Sequence, residues 1–228
     1  MTLVITLGGI DLSVGSLVAF LGGVGILLLN ALLAGGMNEL AAVLASFALI
    51  ILAGTTAGLI NGLLISKGKL APFIATLGGL AAYRSIAMAL VAGGEYRSAS
   101  KGLFGEIGAG GIPIPGTNIA PRAPDPIPLL FPWPVLIFAV VAFVAWVILN
   151  RTPLGRYIVA IGSNERSAIY SAIKVDRVKI LTYSILGLCT GIAELLVASR
   201  LASISSSGSG TLYELDVIAA VVIGGTRM

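Results

Sequence analysis

Long apolar stretches, separated by short polar or glycine-rich segments, dominate the chain. A helix needs about 20 mainly apolar residues to cross the hydrocarbon of a bilayer, and glycine and serine are ordinary members of such helices. Five stretches meet this requirement, with predicted bounds of Leu12–Ala34, Leu40–Ser66, Pro72–Ala92, Pro134–Leu149 and Ile180–Ala198. The pattern therefore predicts an all-α fold, a polytopic bundle of transmembrane helices.

Two shorter apolar pieces, Thr2–Leu7 and Leu215–Gly225, cannot span a bilayer by themselves. They are interpreted as parts of longer helices that are broken or re-entrant. Between the third and fourth predicted spans, residues 93–132 form a long stretch rich in glycine and proline, which predicts a loop outside the membrane. The whole chain, 1–228, is thus predicted to be one transmembrane domain.

The composition supports a membrane protein and excludes several other classes. Hydrophobic residues make up 57% of the chain and charged residues 11%, with a mean hydropathy of +1.04, which is too apolar for a soluble domain. The sequence has no histidine, a single cysteine, Cys189, and no phosphate-binding loop motif. We therefore expect no metal site, no bond-making chemistry and no cofactor bound by this chain.

The basic residues indicate orientation. Residues 151–179 hold six of them against two acids, Lys67 and Lys69 have no acid nearby, and the 93–132 loop is balanced. Cytoplasmic loops carry the excess of Lys and Arg, so 67–70 and 151–179 are predicted to be cytoplasmic and 93–132 external, in a multi-pass membrane protein. The net charge of +4 forms no stripe, so no nucleic-acid partner is expected.

The segment Gly8–Ser16 predicts a break in a membrane helix, because an acid and two hydroxyls stand among three glycines. Such a break is tolerated where the freed polar groups face protein or a water-filled path. Asp11 either caps the following helix or lines a solute path. The candidate path residues here are Gly9, Asp11, Ser13, Gly15 and Ser16.

Other polar residues within predicted spans are also candidates, because ionisable groups in hydrocarbon are costly unless paired or hydrated. Asn61, Glu214 and Asp216 join the candidate path on this basis. Arg84, Glu194 and Arg200 are interpreted as pairing within the bundle or reaching an interface. The serine-rich segment Ser203–Gly210 is either a flexible linker or a re-entrant loop that offers hydroxyls to a polyol.

The cytoplasmic stretch after Arg151 predicts a short amphipathic helix. Ser163 or Asn164 can cap it, and Ala168, Ile169 and Ala172 supply an apolar face. This helix either lies on the lipid headgroups or docks in a groove of a cytoplasmic partner.

Five motifs occur in order along the chain: Met1–Ile5 with Gly9–Ser16, then Pro72–Leu77, Leu154–Ile158, Gly162–Glu165 and Tyr213–Thr226. They resemble the permease subunits of bacterial ABC importers for ribose, xylose, galactose and related monosaccharides. The resemblance implies a type II ABC-importer-like permease core that works as a dimer and is not an enzyme. It also implies a cytoplasmic ABC ATPase, which binds ATP and Mg, and an extracytoplasmic solute-binding protein.

By the same resemblance, Phe73 and Thr76 join the candidate path, and the cytoplasmic loop contacts the ATPase. Ala172 stands where the family usually shows glycine, which leaves the backbone there in question. The candidate coupling residues are Gly155, Arg156, Gly162, Asn164, Glu165, Ala168, Ile169, Ser171 and Ile173.

Members of the resembled family extend beyond both ends of this chain, so it is expected to correspond to the middle of such a permease. Three alternatives to sugar import stay open. They are a related permease for branched-chain amino acids or nucleosides, an ion-coupled carrier that uses Asp11 and Glu194 as coupling acids, and a truncated remnant that does not transport.

Overall fold

The computed structural model describes residues 1–91, 94–118 and 128–226. Its helices are α1 Thr2–Thr6, α2 Val14–Ala34, α3 Glu39–Ser66, α4 Pro72–Leu90, α5 Leu103–Ala109, α6 Trp133–Arg151, α7 Pro153–Ser163, α8 Glu165–Tyr170, α9 Val175–Leu201 and α10 Tyr213–Ile223. Its strands are β1 Glu95–Arg97, β2 Gly111–Asn118, β3 Pro128–Pro132 and β4 Ser203–Ser205.

Within the described part of the chain, five helices, α2, α3, α4, α6 and α9, are long and apolar enough to cross a membrane. Each one overlaps one predicted span, so the prediction of an all-helical membrane bundle is confirmed. Helix α9 starts at Val175, before the predicted fifth span begins at Ile180, and carries Asp176, Arg177 and Lys179 in its first turns. Apolarity marks the part of a helix that lipid can surround, whereas the helix itself continues into the polar interface.

Helices α3 and α9 form the tightest contact in the bundle. Glycines spaced one turn apart line the contact on both helices, Gly54, Gly58 and Gly62 on α3 and Gly187 and Gly191 on α9. A Cβ atom at Gly54 would lie 2.6 Å from the carbonyl oxygen of Gly187, and one at Gly62 would lie 2.8 Å from Cα of Ile180. Only glycine lets the two backbones approach this closely.

Helix α2 packs on this pair and supplies much of the apolar core. Leu21, Ile26 and Leu29 of α2 are fully buried, and they share one hydrophobic cluster with Phe47 and Ile50 of α3. Helix α4 contacts α2 more than α3, and no residue of α6, which is described throughout, is buried. The bundle therefore has a packed centre of α2, α3 and α9 and two helices with largely open faces.

The region predicted as an external loop contains short strands and a helix in its described part; residue 93 and residues 119–127 lie outside it. Strand β1 pairs antiparallel with β4, with Glu95 opposite Ser205 and Arg97 opposite Ser203. Asn30 near the end of α2 holds β1 in place, since its Nδ2 donates to the carbonyl of Arg97 at 2.9 Å. The start of the serine-rich segment is thus a paired strand.

Candidate functional site

The break between α1 and α2 encloses a polar cluster centred on Asp11. The backbone N–H and the hydroxyl of Ser13 donate to Asp11 Oδ1 at 2.8 and 2.6 Å. Asn61 of α3 donates through Nδ2 to Asp11 Oδ2 at 3.3 Å and to Ser13 Oγ at 3.1 Å. All three residues are buried, with exposed fractions of 3% or less. Hydrogen bonds from several donors offset the cost of burying the acid.

Asp11 therefore supports the start of α2 without being its N-cap. The helix begins at Val14 and its N-cap is Ser13, which Asp11 holds through the two bonds described above. Ser16 lies in the first turn, and its hydroxyl donates to the carbonyl of Ser13 at 2.9 Å. The carboxylate thus orients the cap and, through it, the direction in which α2 leaves the break.

Helices α4 and α9 close the break from two further sides. Thr76 of α4 is fully buried, and its hydroxyl lies 2.9 Å from the carbonyl of Pro72 and 3.5 Å from that of Ile10. A Cβ atom at Gly9 would lie 2.5 Å from the hydroxyl oxygen of Tyr183 on α9. Glycine at this position therefore lets the broken backbone pass directly over α9.

The segment that follows β4 folds back against the start of α2. Gly15 and Gly210 are in backbone contact, and a Cβ atom at Gly15 would overlap both the Gly210 carbonyl and the carboxylate of Glu214. Arg84 of α4 donates through Nη1 to the carbonyls of Ser206 and Ser209 at 3.0 and 2.9 Å. The described residues 203–210 therefore pack against α2 and α4, an arrangement that differs from a flexible linker.

Not every candidate path residue joins this cluster. Asp11, Ser13, Ser16, Asn61 and Thr76 are brought together, with Gly9 and Gly15 as close backbone contacts. The side chain of Phe73 is 54% exposed, and Asp216 is exposed near the start of α10. Both lie on outward faces of their helices.

Arg84 and Glu194 were interpreted as pairing within the bundle or reaching an interface, and neither forms an ion pair with a residue that the structure describes. Arg84 contacts backbone carbonyls instead of an acid. Glu194 is fully buried on α9, and neither carboxyl oxygen has a hydrogen-bond partner among the residues that the structure describes. It packs against Gly22 of α2, where a Cβ atom would overlap the Glu194 carboxyl group. Glycine at position 22 provides the space for this side chain.

The segment 151–179, which is predicted to be cytoplasmic, contains two consecutive capped helices, α7 and α8. Thr152 caps α7, with its Oγ1 3.4 Å from the N–H of Gly155, and Asn164 caps α8 by accepting from the N–H of Ser167 at 3.0 Å. Asn164 is one of the two caps predicted for this helix. Glu165 is paired with Lys179 at 2.7 Å, which ties α8 to the start of α9.

The predicted docking face of α8 needs a correction. Ala168 is 3% exposed and packs with Ile158 and Ile161 of α7, so it holds the two helices together and is not free to dock. Ile169 and Tyr170 are 56% and 89% exposed. Successive side chains of an α-helix point about 100° apart around its axis. Ala168 therefore faces α7 while Ile169 faces outward.

Some of the other candidate coupling residues contact neighbouring helices, and others are exposed to solvent. Gly155 packs against the carbonyl of Leu149, and a Cβ atom at Gly162 would overlap the carbonyl of Thr6 in α1. Arg156 and Ser171 are exposed, and Ile173 is half-buried. The Gly162 contact joins the cytoplasmic segment directly to the helix that leads into the Asp11 break.

Sequence reasoning missed two features of the site. Tyr170, which is 89% exposed on α8, was not singled out, although an aromatic residue beside Ile169 is a common anchor at interfaces. The contact glycines were also missed, although their four-residue spacing on α3, 54, 58 and 62, is a known packing signal in membrane helices.

Comparisons with known proteins identify relatives along the whole chain. The family model described as branched-chain amino acid transport system, permease component, matches residues 1–228. The ribose import permease protein RbsC of Escherichia coli strain K12 is 38% identical over 231 residues, and that of Bacillus subtilis strain 168 is 38% identical over 236. The galactofuranose transporter permease protein YtfT of Escherichia coli strain K12 is 34% identical over 231 residues.

These matches cover 100%, 100% and 99% of this chain, but only 64%, 63% and 59% of the respective relatives. The chain thus spans less than two thirds of the length of the curated relatives it matches. No solved structure gives a significant match.

Proposed function

Because this chain belongs to the family of branched-chain amino acid transport system permease components, we propose that it is the membrane-spanning core of an ABC importer for a simple sugar. The family consists of transport subunits, so the chain is not an enzyme, and its five apolar helices make it a multi-pass protein of the inner membrane. The sugar is proposed because the relatives compared above are named as ribose and galactofuranose permeases.

The observation that carries the proposal is the buried polar break between α1 and α2. A break whose polar groups are held by neighbouring helices is a feature of transport proteins, because irregular backbone at membrane depth survives only inside protein or beside a cavity. Asp11 and Asn61 fix the break on the α3 side, and Thr76 on the α4 side. In this proposal, movement of α4 relative to α3 alternately opens the break to the two sides.

The structure offers a short route for force from the cytoplasm to this break. Exposed Ile169 and Tyr170 are proposed to dock in a groove of a cytoplasmic ATPase, which binds ATP and Mg. Helix α8 is packed on α7 through Ala168, and α7 contacts α1 where Gly162 meets the Thr6 carbonyl. Displacement of α8 would therefore be passed through rigid helix contacts to the residues that lead into Asp11.

The partners in this proposal are a second permease subunit, the ATPase and an extracytoplasmic solute-binding protein. The open faces of α4 and α6 are available to lipid and to the second subunit, whereas α8 is available to the ATPase.

The coupling role can be tested with the substitutions Ile169→Glu and Tyr170→Glu in the complete importer reconstituted with its ATPase and binding protein. We expect ATP-driven sugar uptake and co-purification of the ATPase to fall at least tenfold, because a charge replaces an apolar anchor at the centre of an interface. The matched control is Ile112→Glu on β2, which is 46% exposed in the external region.

The control variant should insert, bind the ATPase and transport normally. Uptake that continues in Ile169→Glu would show that α8 does not couple the permease to the ATPase. Ala168 is unsuitable for this test, because a charge at this buried position would disrupt the contact between α7 and α8.

A second candidate solute is a branched-chain amino acid, which the description of the matching family names. Uptake of labelled ribose and labelled leucine into the same vesicles separates the two, since each needs its own receptor. Uptake that collapses with an uncoupler and survives ATP depletion would instead indicate an ion-coupled carrier. Vesicles without uptake of either solute, under conditions in which a full-length relative is active, would indicate a chain that does not transport.

A further inference from the structure

A groove opens at the end of the bundle that is predicted to be cytoplasmic, beside the proposed coupling helix. One wall is the linker 67–71 between α3 and α4, and the other is formed by α8 and the start of α9. Its volume is about 980 Å³, and the polar break around Asp11 does not line it. The groove is therefore a feature separate from the proposed solute path.

The groove is strongly basic. Its lining includes five cations, Lys67, Lys69, Lys174, Arg177 and Lys179, against two acids, Glu165 and Asp176. Because Lys179 is paired with Glu165, four cations face a single remaining acid within this lining. A site of this kind attracts an anion.

Two long helices add to the positive field. The N-termini of α4 and α9, at Pro72 and Val175, both lie in the groove lining, and neither has a side-chain hydrogen bond at its N-cap among the described residues. Helix N-termini carry a partial positive charge, which favours anions, although Pro72 has no N–H and the N–H of Val175 donates to the Ile173 carbonyl at 2.9 Å. The charge of the groove thus comes from backbone as well as from side chains.

The lining of the groove also includes apolar residues. Leu70 is 42% exposed, and Ile173 and Ile180 contribute further aliphatic surface. The linker continues into α4, whose Phe73 and Ile74 are 54% and 62% exposed on the outside of the bundle. The groove therefore joins a basic rim to a surface that faces lipid tails.

We propose that this groove binds an anionic phospholipid of the cytoplasmic leaflet, with the headgroup phosphate between Lys69 and Lys174 and an acyl chain along Leu70 and the outer face of α4. The charge complementarity and the apolar wall together fit this ligand, because basic pockets between membrane helices on the cytoplasmic side bind anionic headgroups. A lipid bound here would brace the α3–α4 linker against α8, which is the helix offered to the ATPase.

The first experiment uses the purified, unsubstituted chain without any ATPase, so that its outcome is independent of the proposed transport function. Native mass spectrometry compares retention of phosphatidylglycerol and of phosphatidylethanolamine with the same acyl chains. Preferential retention of phosphatidylglycerol that weakens with added salt is expected. Equal retention of the two lipids would overturn the proposal, and so would displacement of phosphatidylglycerol by millimolar inorganic phosphate, which would indicate a site for free phosphate.

The second experiment removes one cation from each wall in the double variant Lys69→Gln, Lys174→Gln. Retention of phosphatidylglycerol should weaken roughly 30-fold, since each cation near a membrane surface contributes about 1 kcal/mol. The control, Arg97→Gln with Lys101→Gln, removes two cations from the opposite side of the membrane and should retain the lipid as the unsubstituted chain does.

The conservative double variant Lys69→Arg, Lys174→Arg is the control for misfolding. It keeps both positive charges and should therefore still retain the lipid. An equal loss in the external control would show only a non-specific charge effect and overturn the site. A double variant that keeps phosphatidylglycerol and loses ATPase binding would instead identify the groove as a protein-docking surface, which also overturns the proposal.

Discussion

Helices α6 and α9 resemble each other in apolarity and differ in almost every contact they make. Helix α6 is the more apolar, with a mean hydropathy of 2.3 over an 18-residue stretch against 1.8 for α9, yet none of its residues is buried. Helix α9 carries Glu194 and two glycines and lies at the centre of the bundle. Apolarity thus decides which segments enter the membrane, and small residues decide which of them pack against each other.

The side chains of the two helices show the same contrast in detail. Helix α6 has no glycine, and its large side chains Phe138 and Phe143 are 72% and 64% exposed. On α9, Gly187 and Gly191 contact the backbone of α3, and no space remains for lipid between the two helices. Within a bilayer, large apolar residues gain nothing by leaving lipid for protein, whereas a close backbone contact gains dispersion energy.

The largest expected effect comes from filling the α3–α9 contact with the substitution Gly58→Leu. A Cβ atom at Gly58 would already overlap the backbone carbonyl of Tyr183, so the two helices must separate. We expect the loss of stability to reach or exceed about 3 kcal/mol, the upper range for overpacking. Thermal unfolding of the purified protein in detergent, followed by size-exclusion chromatography, measures it.

The matched control is Gly78→Leu on α4, where a Cβ atom would meet no atom within 4 Å. This variant adds the same side chain to an open membrane helix and should unfold at nearly the same temperature as the unsubstituted chain. Equal destabilisation by the two variants would contradict the division into packed and open helices.

A smaller effect is expected from Asn61→Leu, which removes the α3 hydrogen bonds to the break. Asp11 Oδ2 would lose the contact from Asn61 Nδ2 and stay buried, at a cost of about 1–3 kcal/mol. The control is Asn150→Leu on α6, where the exposed amide donates only to the Trp146 carbonyl of its own helix. Unfolding temperatures of the two variants report the difference.

A second measurement on Asn61→Leu separates a positioning role from a purely structural one. If Asn61 orients the break for transport, solute uptake per folded protein falls further than stability alone explains. Uptake that follows only the amount of folded protein would limit Asn61 to a structural role.

The sequence was sufficient to predict the five spans and the break at Gly8–Ser16, because hydropathy and glycine content are local properties. It was not sufficient to predict partners across the bundle. Arg84 contacts the carbonyls of Ser206 and Ser209, more than a hundred residues away along the chain. Reasoning that looks for an acidic side chain as the partner of an arginine does not find them. Backbone carbonyls carry no signal in a sequence, so this contact needs the fold.

The cytoplasmic segment shows a similar limit. The apolar pattern predicted a short helix and one of its possible caps, Asn164, but it did not reveal which apolar residues face the protein. Ala168 is turned inward because α7 lies beside α8, and Ile169 is turned outward. The apolar residues of such a helix can contact either the rest of the chain or a partner protein. Which of them face inward depends on the tertiary contacts.

The smallest effect is predicted for Ala172→Gly, in the turn before α9. This substitution tests the energy of the backbone conformation and not that of side-chain packing. Ala172 has a left-handed backbone, with φ of 59°, a conformation that costs an L-residue about 1–2 kcal/mol and glycine almost nothing. Part of that gain is lost because glycine is more flexible in the unfolded chain, so Ala172→Gly should stabilise the protein by up to about 1 kcal/mol. The same change at Ala142, within α6, should destabilise by a similar amount, because glycine is unfavourable inside a helix. Opposite shifts in unfolding temperature would show that the surrounding structure holds Ala172 in a backbone conformation that alanine disfavours. Shifts of the same sign would show that helix propensity alone explains the effects of both substitutions.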